Sequence, residues 1–245
     1  LTSLTLGNAV STIGSNAFQN CSGLTSVVFN ADSCVSMGNS SYSVFSGCTG
    51  AATLTICNNV KLIPNNAFRS FSGLDTLIIG RSVDRIGSDA FNNCIGLTSI
   101  QFNADSCKVT DSPFFSGCTN PATITIGDNV KHIPSYIFDR YNGLSGILVI
   151  PDSVRSIGNY AFRDCSGLDT VIVGRTVSSI GSSAFSYCSN LRTVIFNADS
   201  CTSMFSGSYY TNYDVFHSCD NLTTLIIGLN VKAIPEYAFR GCSSL

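Results

Sequence analysis

The sequence predicts an α/β repeat solenoid of about ten coils with one parallel β-sheet along one side. Three observations predict it. A leucine-anchored pattern returns through ten consecutive periods from Leu1 to Leu245, eight of them 23 or 24 residues long. Each return opens on apolar residues with strand spacing, as in Leu77 and Ile79. One phenylalanine recurs at a fixed place in every period, from Phe18 through Phe115 to Phe239.

The elements follow in the order of the repeat. Columns 1, 4 and 6 (Leu74, Leu77 and Ile79 in one copy) are apolar, and the step of two between the last pair puts both side chains on one face of a strand. Columns 10 and 13, such as Val83 and Ile86, form a second inward segment. Gly87 or Pro134 then turns the chain. The "AFxxC" portion predicts a short helical turn with Phe inward. Column 23 is Gly or Asn in nine of ten copies, including Gly23, Gly73 and Asn120, which predicts a left-handed residue ending that helical turn. A single coil of this kind cannot bury its apolar face, whereas stacked coils can.

Three periods, beginning at Leu24, Leu97 and Leu191, carry "FNADSC" in place of the V-x-x-I-G/P portion, which they are expected to lose. The first and third are lengthened to 27 and 31 residues. No linker or composition shift interrupts the array, so residues 1–245 read as one domain. Both ends fall on a column-1 leucine, so a fragment of a longer protein is expected.

The cysteine of column 21 decides between enzyme and scaffold. It is replaced by Phe71 in one copy and Tyr141 in another. A nucleophile or metal ligand does not tolerate that exchange, but a small buried hydrophobe does. Free, buried thiols are therefore expected rather than a disulfide framework. The two histidines are His132 and His217. His217 lies two residues before Cys219, but neighbouring columns of a turn point apart, which argues against a Cys–His dyad. No paired CxxC metal spacing occurs, and the Asp of each "NADS" reads as turn hydrogen bonding. The chain is expected to be no enzyme and to use no metal or cofactor.

Charged residues make up 11% of the chain and the net charge is −2, which excludes the clustered cations that nucleic acid requires. No apolar run is long enough to span a membrane. Two surfaces compete for a binding role. One is the solvent face of the strands, where column 5 changes from Thr5 and Thr55 to Ile172, Ile195 and Ile226. The other comprises the lengthened segments: 35–43, with Tyr42 and Met37, and 202–214, with Met204, Phe205, Tyr209, Tyr210 and Tyr213 among Ser, Gly and Asn. That mixture suits binding loops, because Tyr gives large contact area at low entropic cost.

The pattern "L-x-x-L-x-L…V-x-x-I-G-x-x-A-F-x-x-C-x-x-L" resembles the BspA-like leucine-rich repeat family over the whole chain. The resemblance implies a leucine-rich-repeat solenoid, placed on the cell surface or secreted. It also implies adhesion to an extracellular protein or glycan, host matrix included, and offers no catalytic residues to carry over. The alternative is a structural spacer within a longer surface array.

Overall fold

A computed structural model describes residues 1–105, 107–109, 114–204 and 214–245. They form two compact units, Leu1–Ile124 and Thr125–Leu245.

The first unit contains β1 (Ser3–Leu6), β2 (Thr12–Ile13), β3 (Ser26–Phe29), β4 (Ser36–Met37), β5 (Ala52–Ile56), β6 (Leu62–Ile63), β7 (Leu74–Ile79), β8 (Arg85–Ile86), β9 (Ser99–Phe102) and β10 (Lys108–Val109). The unit boundary falls inside β11 (Thr123–Ile126). The second unit continues with β12 (His132–Ile133), β13 (Ser145–Val149), β14 (Ser156–Ile157), β15 (Gly167–Val173), β16 (Ser179–Ile180), β17 (Thr193–Phe196), β18 (Ser203–Met204) and β19 (Thr224–Ile227).

Long strands alternate with two-residue strands because each coil has two inward segments and two turns. The long strands form two sheets, β1-β3-β5-β7-β9-β11 and β13-β15-β17-β19, rather than one. The short strands form β2-β4, β10-β8-β6 and β12-β14-β16-β18. The pairings are parallel and link equivalent columns, as in Leu77↔Ile100 and Val171↔Val194. At the start of the second sheet the register shifts between Gly146 and Ile147. Gly146 has φ 75° there, so this bulge absorbs the extra residue of its period.

The chain is a parallel β-solenoid of the leucine-rich-repeat type, and the α/β assignment is corrected. No helix forms among the described residues. The "AFxxC" portion is a succession of turns with left-handed residues four apart, for example Asn66 and Ser70 (φ 56° and 55°) or Tyr160 and Asp164 (both 56°). A left-handed residue at every fourth position cannot continue a right-handed helix. The amides between them bond to the next coil instead, Phe68 N–H to the Ala90 carbonyl at 2.8 Å and Ser70 N–H to that of Asn92 at 2.8 Å. The glycine of column 23 has a different role from the one expected. Gly73 is not left-handed; a Cβ there would overlap the Gly50 carbonyl oxygen of the preceding coil.

The count of ten coils is corrected as well. In the first period Leu4, Val10 and Phe18 are only half-buried, and in the last Leu225, Val231 and Phe239 are too, while Ile234 is exposed. About eight packed turns remain. Within each unit their cores are dominated by phenylalanine stacks. Phe45, Phe68, Phe91 and Phe115 stack at 5.4–5.7 Å in the first unit, and Phe138, Phe162, Phe185 and Phe216 at 5.2–5.4 Å in the second. Full burial of each ring contributes about 1.5–3 kcal/mol.

The "FNADSC" coils do not lose their second segment. Cys34-x-x-Met37 and Cys201-x-x-Met204 reproduce the V-x-x-I spacing. Cys34 and Cys201 are buried, and Met37 and Met204 pair in register with Ile13 and Ile180.

Candidate functional site

The solvent face of β13-β15-β17-β19 carries the clearest candidate surface. Register places Val149, Ile172, Ile195 and Ile226 side by side on four successive strands. Val149 and Ile226 are each 48% exposed, while Ile172 and Ile195 are half-buried. The bulge settles the position of the first coil's residue. Leu148, opposite Val171, points into the core, and Val149 joins the outer row. Thr170, Thr193 and Thr224 form a parallel polar row two residues earlier. In the first unit the equivalent row is Thr5, Val28, Thr55, Ile78 and Gln101, so polar groups interrupt it. The continuous apolar row is a property of the second unit.

Of the lengthened segments, 35–43 is described. Its Asn39 carboxamide oxygen accepts from the Ser41 and Tyr42 amides at 2.9 and 2.8 Å, and its Nδ2 donates to Ser15 Oγ at 3.1 Å. This closed turn presents Tyr42, which is 58% exposed. Met37 is not a loop residue; it belongs to β4 and is buried. Phe205, Tyr209, Tyr210 and Tyr213 lie outside the described residues. Thus the structure joins Ile172, Ile195 and Ile226 into one row and leaves Tyr42 apart from them, in the first unit.

The cysteines are packing groups that also donate. All twelve are free, and nine are buried. In column 21, Cys48, Cys94, Cys118, Cys165, Cys188 and Cys219 each donate Sγ–H to the column-18 Phe carbonyl of the preceding coil at 3.1–3.3 Å. Burial pushes the Cys94, Cys165 and Cys188 thiols well up, away from the reactive thiolate. Cys107 is pushed up to about 12 by burial and the nearby Asp84. The His217 ring packs edge-on against Tyr187, at 5.5 Å between centroids, while the Cys219 thiol donates to the Phe185 carbonyl. Among the described residues, no three His, Cys, Asp or Glu side chains cluster as metal ligands. The "NADS" aspartate also has a structural partner: Asp199 meets Arg175 at 3.0 Å in an ion pair between coils.

One arrangement escaped the sequence reading. Arg163 forms a two-point ion pair with the buried Asp139 at 2.7 and 2.8 Å, and its guanidinium lies 4.6 Å over the Tyr160 ring. Tyr160 stacks on Tyr136 at 5.0 Å. Arg240 repeats the pattern with Asp214 and Tyr237. The signal was the Y-x-x-R spacing of Tyr160 with Arg163 and of Tyr237 with Arg240.

A family profile described as BspA type leucine rich repeat region matches residues 1–120, 41–149, 97–213 and 144–245. No curated protein matches the chain. Among solved structures, the chain is similar to a leucine-rich repeat protein from Bacteroides ovatus ATCC 8483. Identity is 28% and the TM-score 0.49, over 100% of this chain and 65% of that one. It is similar to the pneumococcal vaccine antigen PcpA at 14% identity and a TM-score of 0.51, over 95% of this chain and 64% of that one. A leucine rich cell surface protein from Faecalibacterium prausnitzii A2-165 is 20% identical with a TM-score of 0.28, over 100% of this chain and 86% of that one. The chain therefore spans less than two thirds of the length of the first two. The likeness to PcpA bears on the fold alone.

Proposed function

We propose that this chain, which belongs to the BspA-type leucine-rich repeat family, is a non-enzymatic binding module, displayed on the cell surface or secreted, that recognises an extracellular protein. The observation that carries the reading is the row Val149–Ile172–Ile195–Ile226. Apolar side chains at successive strands of a solvent face gain nothing from water, and a contiguous apolar patch marks an interaction surface. The buried, hydrogen-bonded thiols support the non-enzymatic half of the reading. Within the first unit, Tyr42 adds an exposed aromatic anchor on a closed turn.

The test replaces Ile172, Ile195 and Ile226 together with Thr, which retains β-branching and strand propensity. Binding to immobilised extracellular-matrix proteins is compared with that of the unaltered chain. The folded state is expected to persist, and affinity to fall by about 2 kcal/mol or more if the row is a hot spot. Unchanged binding together with a normal melting curve would remove the row from the interface. If the unaltered chain binds none of the matrix proteins, the spacer reading is favoured.

A further inference from the structure

Outside the long strands, each unit carries a groove at the same repeat columns, beside its short strands. In the first unit it holds about 440 Å³ and is lined by Val35, Leu62, Pro64 and the cationic Arg85, among others. In the second it holds about 350 Å³, and among the described residues no ionisable side chain lines it. There the walls are Ser156, Ser179 and Ser203, in register on β14-β16-β18, with Ser135 and Asn159 from the adjoining turns. Gly158 lies in the floor, where a Cβ would overlap the Ser135 amide nitrogen, so the backbone stays bare. The same architecture thus has two chemistries, set by column 12: Leu62 and Arg85 in the first groove, Ser156 and Ser179 in the second, with one Asn and one Ser at column 15 of each.

The second groove keeps hydrogen-bonding capacity in reserve. Ser135 Oγ accepts from the Asn159 amide at 3.1 Å, which leaves its own proton to donate. Asn159 Oδ1 accepts from the Ser182 amide at 2.9 Å, which leaves both Nδ2 protons. Ser156 Oγ shares a hydrogen with His132 Nδ1 at 2.7 Å. The residues that follow Ser135 and Asn159 in the chain are Tyr136 and Tyr160, the stacked pair held by Arg163 and the buried Asp139. Both tyrosines take left-handed backbone (φ 61° and 56°) at a column filled in the first unit by Asn16, Asn66 and Asp89, residue types that tolerate it. Tyr237 takes the same backbone (φ 60°) with Arg240 over its ring, so the rings at this column belong to the Tyr–Arg–Asp arrangement of the turns.

We propose that this groove binds a neutral oligosaccharide. Uncharged side chains that keep protons to donate match sugar hydroxyls. The strand spacing of about 4.8 Å brings one serine per coil along a chain of pyranose rings. The site is separate from the isoleucine row of the long strands, so either can fail without the other.

The experiment titrates the whole chain with cellohexaose, chitohexaose, mannohexaose and maltohexaose, and with a sulfated heparin hexasaccharide. Binding is followed by calorimetry and by hydrogen-exchange protection. At least one neutral hexasaccharide is expected to bind and to protect the backbone around residues 135, 156–159 and 179. Ser179→Leu and, separately, Ser156→Leu should each weaken binding about tenfold or more with unchanged melting. The Thr-substituted isoleucine row should bind the sugar normally. The proposal is overturned if no neutral hexasaccharide binds at millimolar concentration, if heparin alone binds, if protection falls elsewhere, or if the Thr-substituted row abolishes sugar binding.

Discussion

A thiol that donates to the carbonyl of the coil before it acts as a polar tie in an apolar column. Cys165 does this at 3.1 Å to Phe138, and Cys188 at 3.3 Å to Phe162. Phe71 and Tyr141 show the other solution for the column, filling it with a ring and no sulfur. The nine buried thiols should therefore be nearly unreactive toward an aromatic disulfide reagent in the folded protein, leaving Cys21, Cys57 and Cys242 to react, and all twelve should titrate in denaturant without reductant. A denatured count near zero would contradict this. Their protonation has a second consequence. Burial raises Cys34, Cys48, Cys94, Cys107, Cys165, Cys188, Cys201 and Cys242 above their unfolded values, so this stabilisation is complete below the unfolded value and is lost as pH rises through the folded one. Stability should decline as pH climbs from about 8.5 toward about 12, the value that burial gives Cys107. Denaturant midpoints at pH 7 and pH 10 measure the decline. Cys165→Val, which removes one buried thiol, should make it shallower; an identical decline would exclude Cys165 as a contributor.

Within an element, conformation rather than contact decides the residue. Asn66 sits at φ 56°, and its buried carboxamide oxygen has no partner among the described residues. Asn66→Gly should thus leave stability nearly unchanged, while Asn66→Val should cost about 1–2 kcal/mol from the left-handed backbone alone. Equal unfolding midpoints for the two variants would disprove that account. The same positions explain what could and could not be read in advance. Period, inward columns and the phenylalanine stack were legible because burial imposes them on side-chain type, from Leu77 and Ile79 to Phe162. The isoleucine row was legible for the same reason, since strand alternation places Ile172 and Ile195 outward. The turns were not legible. "AFxxC" has helical spacing, and only the run Asn66–Ser70 or Asp89–Asn93, with small polar residues four apart, hints at repeated left-handed backbone. The C-x-x-M segments were hidden because Cys and Met are unusual stand-ins for Val and Ile. The groove walls were hidden because Ser135 and Ser179, far apart in sequence, acquire meaning only when coils stack.

At the scale of the whole molecule, each unit is held together coil to coil on every side. Long strands pair, short strands pair, and the turn amides reach the next coil too, as Phe162 N–H does to Ala184 at 2.8 Å. What a coil keeps within itself is a set of short turn bonds, such as Phe71 N–H to the Phe68 carbonyl at 3.2 Å, while its apolar side chains face its neighbours, so a coil that loses its neighbour keeps little reason to stay wound. Under tension applied to the two ends of this chain, coils should peel away singly from the outermost ones, which have a neighbour on one side only, rather than all at once. Each released period of 23 residues would lengthen the tether by about 80 Å. In an optical trap this gives a staircase of small steps at low force, equal except for the two lengthened periods, in place of one large rip. A surface protein built this way would yield gradually to shear and rewind when flow slackens, a spring whose travel is set by the number of its turns.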